Sequence, residues 1–219
     1  GDRIRGGRKA IELGADIVVL DDGFQHLRLQ RDLDLVLLDA GDPWGGDRLP
    51  PGGRLREPVT AIERASAVII TKVDPAAGQP PENIVRRVGM LRPGMPVFAA
   101  SLVPRQVRTA DGWKGPKVLR GQRVFAVAGL GRPEGFRVLL ERAGSEVVGR
   151  RWFPDHHPYD DTDRARIDRE ARDLGAVVVT TAKDAVKLDP FKGLWVVETA
   201  MQCLEGGWER LWTLIPEVE

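Results

Sequence analysis

The sequence predicts an α/β protein: a parallel-sheet core and a second, smaller C-terminal α/β lobe, joined by a β-hairpin linker. Three observations predict it. Short continuous apolar runs at Ile17–Leu20, Asp34–Asp39 ("DLVLLD") and Ala67–Thr71 ("AVIIT") have the pattern of strands buried on both faces. Segments of helical periodicity fall between or after them, and strands alternating with helices mean a parallel sheet. The texture then changes near Val103–Leu119, where Asp111-Gly112 sits between two short extended runs, a hairpin signal. The expected division is 1–102 as the core, 103–119 as the ribbon linker and 120–219 as the second lobe.

Each element follows from local pattern. Arg3–Leu13 reads as helix, with Ile4, Ala10, Ile11 and Leu13 on one side and Gly14 as its stop. Helices are also expected at Val59–Arg64 and Glu82–Leu91, and a strand at Pro96–Ser101. The second lobe should open with a strand at Arg123–Ala128, followed by "GLGRP" and a helix over Glu134–Ala143. A strand at Glu146–Phe153, a helix at Thr162–Leu174, strands at Ala176–Thr181 and Leu194–Glu198, and an amphipathic helix at Glu205–Leu214 complete the reading. Gly41–Pro58 is different: it is dense in Gly and Pro and too long for an idle connection, and such loops are functional or disordered. There is no internal repeat and no low-complexity tract.

Composition bounds the function. A chain of 219 residues has ample length for a buried core, and 42% apolar with 30% charged residues is ordinary for a soluble globular protein. A net charge of +1 gives no electrostatic case for nucleic acid as a partner. Basic residues do cluster locally at Arg3, Arg5, Arg8 and Lys9, and again at Arg150 and Arg151. The single cysteine, Cys203, rules out an internal disulfide framework and fits a reducing compartment. No apolar run has the length of a membrane span, and no signal peptide is visible. The chain opens at Gly1 without methionine, inside an element already under way, and reads as a fragment or a processed chain.

Five short motifs carry chemistry. "VVLDDG" is an apolar strand ending in two aspartates, the form of a Walker B element, where Asp holds Mg²⁺ beside nucleotide phosphates. A divalent ion answers the repulsion between Asp21 and Asp22 by making both carboxylates ligands. The competing reading is an Asp-Gly turn, but a turn needs no Phe24, Gln25 and His26 in that order. "GLGRPEGF" at Gly129–Phe136 is either a phosphate cradle or a tight turn into a helix with Pro133 in its first turn; the second is favoured, because the full dinucleotide fingerprint is lacking. "FPDHHPYDD" at Phe153–Asp161 sets His156 and His157 among three aspartates. It suits proton transfer with a carboxylate orienting an imidazole, a metal site, or a polar cap before the next helix. "TTAKDAVKL" at Thr180–Leu188 offers Lys183 and Lys187 to an anion, or is a solvated helix start with Asp184 near its positive end. "TKVD" at Thr71–Asp74 imitates the guanine-reading signature of GTPases, although "DDGF" does not supply their D-x-x-G.

Together the motifs resemble one family, the tetraacyldisaccharide 4′-kinases (lipid A 4′-kinases) of Gram-negative bacteria. The matching segments are "DDGFQH" at Asp21–His26, "RDLDLVLLDA" at Arg31–Ala40, "LPPGGRLREP" at Leu49–Pro58, "FPDHHPY" at Phe153–Tyr159 and "TTAKDAVKL". They occur in the family's order and span nearly the whole chain. The resemblance implies a P-loop kinase core, here incomplete, with a smaller lobe joined by a β-ribbon. It implies transfer of the γ-phosphate of ATP to the 4′-hydroxyl of an acylated glucosamine disaccharide 1-phosphate, giving lipid IVA, at the cytoplasmic face of the inner membrane. It further implies that Asp21 and Asp22 hold Mg²⁺ with ATP and that His26 contacts the site. Arg56 and Glu57 would face nucleotide and metal, with Glu57 a further metal ligand. Arg3 would contact an anion. His156 would deprotonate the sugar hydroxyl together with a catalytic aspartate, while His157 is a less certain site residue.

The departures also matter. A "GGTGKT"-like phosphate loop and a "GDEP"-like segment, both preceding Gly1 in the family's order, are not among these 219 residues, and neither is the family's N-terminal membrane helix. Arg54 stands where the family usually has Pro or Asn, and Ala182 where it usually has Glu. Without the loop's amides and lysine the β- and γ-phosphates have no cradle, so these residues alone are expected to be inactive or nearly so. The rival expectations are a GTPase or metallochaperone-like NTPase from "TKVD", a metal-dependent phosphoesterase from "DHH" at Asp155–His157 with "DLD" at Asp32–Asp34, and a noncatalytic remnant.

Overall fold

A computed structural model describes residues 2–74, 80–189, 191–204 and 207–216. The chain divides into two compact units, one of Gly1–Ser101 with Gln202–Glu219 and one of Leu102–Met201.

The first unit opens with helix α1 (Arg3–Glu12), whose first turn is capped by the Asp2 side chain accepting from the Ile4 and Arg5 amides. Strands β1 (Leu35–Asp39) and β2 (Ala67–Thr71) follow, separated by the long Gly/Pro loop and a 3₁₀ turn at Val59–Arg64. Helix α2 (Glu82–Leu91) leads to β3 (Val97–Thr109), a strand long enough to pass into the second unit. β1, β2 and β3 pair in that order, in parallel. Every residue of β2 is buried, as a continuous apolar run in a central parallel strand should be. One face packs Leu38, Val68, Ile70, Ile84 and Val88 into a core that also holds Ile62 of the 3₁₀ turn.

The second unit contains a hairpin in which β4 (Gly112–Lys114) turns back on β3, with Thr109 opposite Gly112. Strand β5 (Arg123–Gly129), helix α3 (Glu134–Arg142) and strand β6 (Glu146–Phe153) come next. Helix α4 (Asp161–Asp173), strand β7 (Val177–Thr181), helix α5 (Ala182–Leu188) and strand β8 (Trp195–Cys203) follow. The parallel order is β8-β7-β5-β6. Its two faces carry separate cores, one around Leu119, Phe136 and Leu140, the other around Tyr159, Ile167 and Leu188.

Two expectations are corrected. Ile17–Leu20 is not a strand: no ladder pairs it among the described residues, and Ile17, Val18 and Val19 are 61%, 42% and 87% exposed. A strand exists through its neighbour's hydrogen bonds, and among the described residues the order ends at β1, which pairs there with β2 alone. The last helix, expected with the second lobe, is α6 (Gly207–Trp212), and it packs into the first unit. Leu211 and Trp208 lie against Ala67, Ile69 and Phe98, the second face of the β1-β2-β3 sheet, which would otherwise be bare. The expected start of that helix at Glu205 lies outside the described residues.

Candidate active site

The first unit assembles its site around the Asp21-Asp22 turn. Asp22 sits at φ 53°, a left-handed conformation that Asp tolerates better than most side chains. Gly23 is buried, and a Cβ there would press 2.7 Å from the Leu20 Cβ, so only glycine lets the chain turn this tightly. Two arginines converge on Asp22. Arg3, from the first turn of α1, donates from Nη1 to the Asp22 carbonyl at 3.0 Å. Arg56, from the end of the Gly/Pro loop, pairs through Nη1 with Asp22 Oδ2. The charge that the adjacent aspartates demand is thus met, in this state, by guanidinium groups from two separate segments.

The loop that delivers Arg56 is fixed along its length. The Arg54 amide donates to the Gly45 carbonyl at 2.7 Å, and the Leu55 amide to the Arg48 carbonyl at 3.1 Å. A Cβ on Gly53 would overlap the Arg48 carbonyl oxygen, so this crossing needs glycine. Arg87 of α2 clamps the loop from outside, pairing with Asp47 and lying 4.3 Å over the Trp44 ring. That pair holds the Asp47 carboxyl below its ordinary range, chiefly through the hydrogen bond from Arg87. Arg54 pairs with Asp42, which gives the unusual arginine at this position a local structural partner.

Beside the turn lies an apolar cleft of about 200 Å³, walled by Phe24, Trp44 and Leu55 and edged by Arg56 and Glu57. Glu57 gives Oε2 to Arg64 at 2.6 Å, while its Oε1 is buried with no hydrogen-bond partner. Arg64 in turn lies 4.7 Å over the Phe24 ring. His26 is held through its backbone, its carbonyl accepting from Arg31 at 2.6 Å, and its Nε2 is buried without a partner. Arg31 also grips Asp34 by two bonds, at 2.6 and 3.1 Å, so the "DLD" carboxylate at Asp34 serves an internal pair. Lys72 of the "TKVD" segment pairs with Asp39 at 2.7 Å.

The structure therefore joins Arg3, Asp22 and Arg56 directly. It does not bring Asp21, Asp22 and Glu57 together as a ligand set: among the described residues no three His, Cys, Asp or Glu side chains converge as a metal site. Sequence reasoning singled out Phe24 within "DDGFQH" but missed Trp44, the wall the two rings make, and the Arg64 partner of Glu57. For Trp44 the advance signal was an isolated Trp inside a Gly/Pro loop.

The second unit places its histidines on the 154–159 loop between β6 and α4. His156 is exposed, at φ 63°, with Nε2 3.8 Å from Asp155 Oδ2. His157 is different in kind. It is 2.6 Å from Asp163 through Nε2, stacks on Phe153 at 4.5 Å and meets Tyr159 edge-on. The adjacent histidines point to different partners, and of the two only His156 presents its ring to solvent.

An α/β core with an acidic turn after an apolar run, faced by two arginines, defines a fold class of P-loop kinase type. The chain belongs to the tetraacyldisaccharide-1-P 4′-kinase family, LpxK, whose model matches residues 1–215. It is 44% identical over 204 residues to the tetraacyldisaccharide 4′-kinase of Syntrophus aciditrophicus, covering 88% of this chain and 54% of that protein. It is 42% identical to the enzyme of the same name from Rhodospirillum rubrum, covering 86% and 54%. A solved structure described as the apo form of LpxK from Aquifex aeolicus in complex with ATP superposes with a TM-score of 0.65. It shares 30% identity and covers 97% of this chain and 61% of that one. The chain spans about half the length of the curated relatives it matches.

Proposed function

We propose that the whole protein is an ATP-dependent kinase that phosphorylates the 4′-hydroxyl of a tetraacylated glucosamine disaccharide 1-phosphate, a step of lipid A biosynthesis. The observation that carries this is the Asp21-Asp22 turn met by Arg3 and Arg56, in a chain of this family. The solved relative's complex with ATP supports ATP as the donor.

In this reading Asp21 and Asp22 hold Mg²⁺, which takes one or two carboxylates and otherwise phosphate oxygens and water. Two carboxylates suit a hard cation, and Glu57 would have to move toward the turn to add its unpartnered oxygen. Bound there, the ion would neutralise phosphate charge. Arg3 and Arg56, freed from Asp22, would turn to phosphate oxygens, for which the guanidinium fork is suited. His26 contributes its buried Nε2 to the site. His156, exposed on its loop, takes the proton of the sugar hydroxyl together with a catalytic aspartate, and His157 shapes that loop through Asp163.

The acylated substrate implies work at the cytoplasmic face of the inner membrane. No helix among the described residues is long and apolar enough to cross a membrane. The 219 residues by themselves are proposed to be inactive, because the phosphate-cradling segment is not among them.

The test is transfer of labelled γ-phosphate from ATP to tetraacyldisaccharide 1-phosphate by the full-length polypeptide. Mg²⁺-dependent product is expected, and none from Asp22→Asn or His156→Ala. Preference for GTP, or turnover by the 219 residues alone at the full rate, would contradict the reading.

A further inference from the structure

The "TTAKDAVKL" segment has so far no role, although its charges lie against the His156 loop. Asp184 is wholly buried. Its Oδ2 accepts from the Gly129 amide at 3.1 Å and from the Thr181 hydroxyl at 2.9 Å. Its Oδ1 is buried without a partner, and so is the hydroxyl of Tyr159, one an acceptor and the other a donor. Both lie against Gly129. A Cβ on that glycine would stand 3.0 Å from Asp184 Oδ1, 3.1 Å from the Pro154 carbonyl and 3.2 Å from the Tyr159 hydroxyl. Burial first, then the Asp184 charge, pushes the Tyr159 phenol far above its ordinary range, so it stays a neutral donor. One residue earlier, Lys183 pairs with Asp155 at 2.5 Å. Asp155 in turn accepts from the His156 amide at 3.0 Å.

The loop needs such support. His156 and Tyr159 both have positive φ, 63° and 39°, and neither is glycine. Conformations of that kind are strained for a residue with a side chain and persist only where the surroundings over-determine them. The supports reach the loop at both ends: Pro154 and Asp155 on one side of His156, Tyr159 on the other.

We infer that Lys183 and Asp184 are positioning residues for His156: Lys183 fixes the preceding carboxylate, and Asp184 fixes the loop ends through Gly129 and Tyr159. The inference rests on the proposed role of His156 as the base. It gives the motif a purpose other than anion binding. It also explains how Ala182 can replace the family's usual Glu: the side chains that carry the work are the two that follow it.

The test uses the full-length kinase, with Lys183→Met as the main variant, because Lys183 is exposed enough for the fold to survive its loss. The expected result is a kcat lower by about 100-fold, the cost of an ångström-scale misplacement, with KM for ATP and for the disaccharide unchanged. Lys183→Arg, which can re-form the pair, should restore most of the rate. Tyr159→Phe should lower kcat in the same sense. Amide hydrogen exchange should quicken at 154–159 in Lys183→Met and stay unchanged in α3 and β6. A wild-type kcat in Lys183→Met, alongside an inactive His156→Ala, overturns the positioning role. A fully active His156→Ala instead removes the base, and with it the reading on which the inference stands.

Discussion

Asp22 holds two arginines that have no structural need of it. The Arg56–Asp22 pair is exposed, where such pairs contribute about 0–1 kcal/mol, and Arg3 bonds the Asp22 carbonyl rather than its carboxylate, so little stability is expected to rest on the pair. This yields a residue-scale prediction. Arg56→Ala should leave the melting temperature of the whole protein within about 2 °C. It should raise the KM for ATP and lower kcat/KM by about 10- to 100-fold, the ~1.5–3 kcal/mol of a charge-assisted hydrogen bond. Steady-state kinetics and a thermal melt on one sample decide it; a large loss of stability with intact kinetics would make the pair structural. The same residues show what the sequence could reveal of the site. "DDGFQH" and "LREP" announced themselves by residue type, but their connection did not. Arg56 reaches Asp22 only because Gly53, Arg87 and Trp44 fold the intervening loop back, and that path is tertiary. Asp184 does stand in the first turn of a helix, as one local reading has it, but it is buried rather than solvated, because the Gly129 amide, far away along the chain, donates to it.

At the scale of elements, the legible ones were those with a period or a stop. Ala67–Thr71, Glu82–Leu91 and Glu146–Phe153 have the ends that their patterns predict. Strands β3 and β8 run further than their apolar runs, because both continue beside partners after the hydrophobic signal ends. Ile17–Leu20 fails in the opposite sense, having the composition of a strand and no ladder. Helix α4 shows local chemistry that the pattern does contain. Asp160 caps it by accepting from the Asp163 amide at 2.8 Å, and the Asp163 carboxylate accepts in return from the Asp160 amide. Asp163 also holds His157, and that hydrogen bond, ahead of the others, keeps its carboxyl below the usual range. The sign of the linkage follows. Between the depressed folded value and the unfolded value near 3.9, the unfolded chain binds more protons, so stability rises with pH there. The contribution of Asp163 is complete above about pH 5 and disappears as pH falls through its folded value. Asp163→Asn should therefore cost stability at pH 7 and progressively less toward pH 3, converging with the parent in urea titrations. A cost that is constant with pH would assign the effect to packing alone.

For the whole molecule, the decisive feature is that the chain returns. After the second unit, residues 202–204 and 207–216 come back to cover one face of the β1-β2-β3 sheet, with Leu211 3% exposed and Cys203 9% exposed against Ala67, Ile69 and Phe98. Burial also pushes the Cys203 thiol up, so it stays an unreactive, packed group. The second unit, by contrast, is one continuous stretch, Leu102–Met201, with cores on both faces of its own strands. Removing everything after Met201 should thus act unequally. The first unit loses the buried Leu211 and Cys203 and the partial cover of Trp208, and at about 1.5–3 kcal/mol for a fully buried side chain the loss is several kcal/mol. That is a large part of the 5–15 kcal/mol by which domains are stable. The second unit loses no core side chain. Calorimetry of the truncated chain should show the transition of 102–201 near its original temperature and that of the first unit shifted far down or gone. Hydrogen exchange should locate the loss in β1 and β2. Because the Asp21-Asp22 turn, the Arg56 loop and the cleft beside them are built on that first unit, the same truncation should abolish nucleotide binding by the full-length protein while the fold around His156 persists. Equal losses in the two units would refute this division of labour.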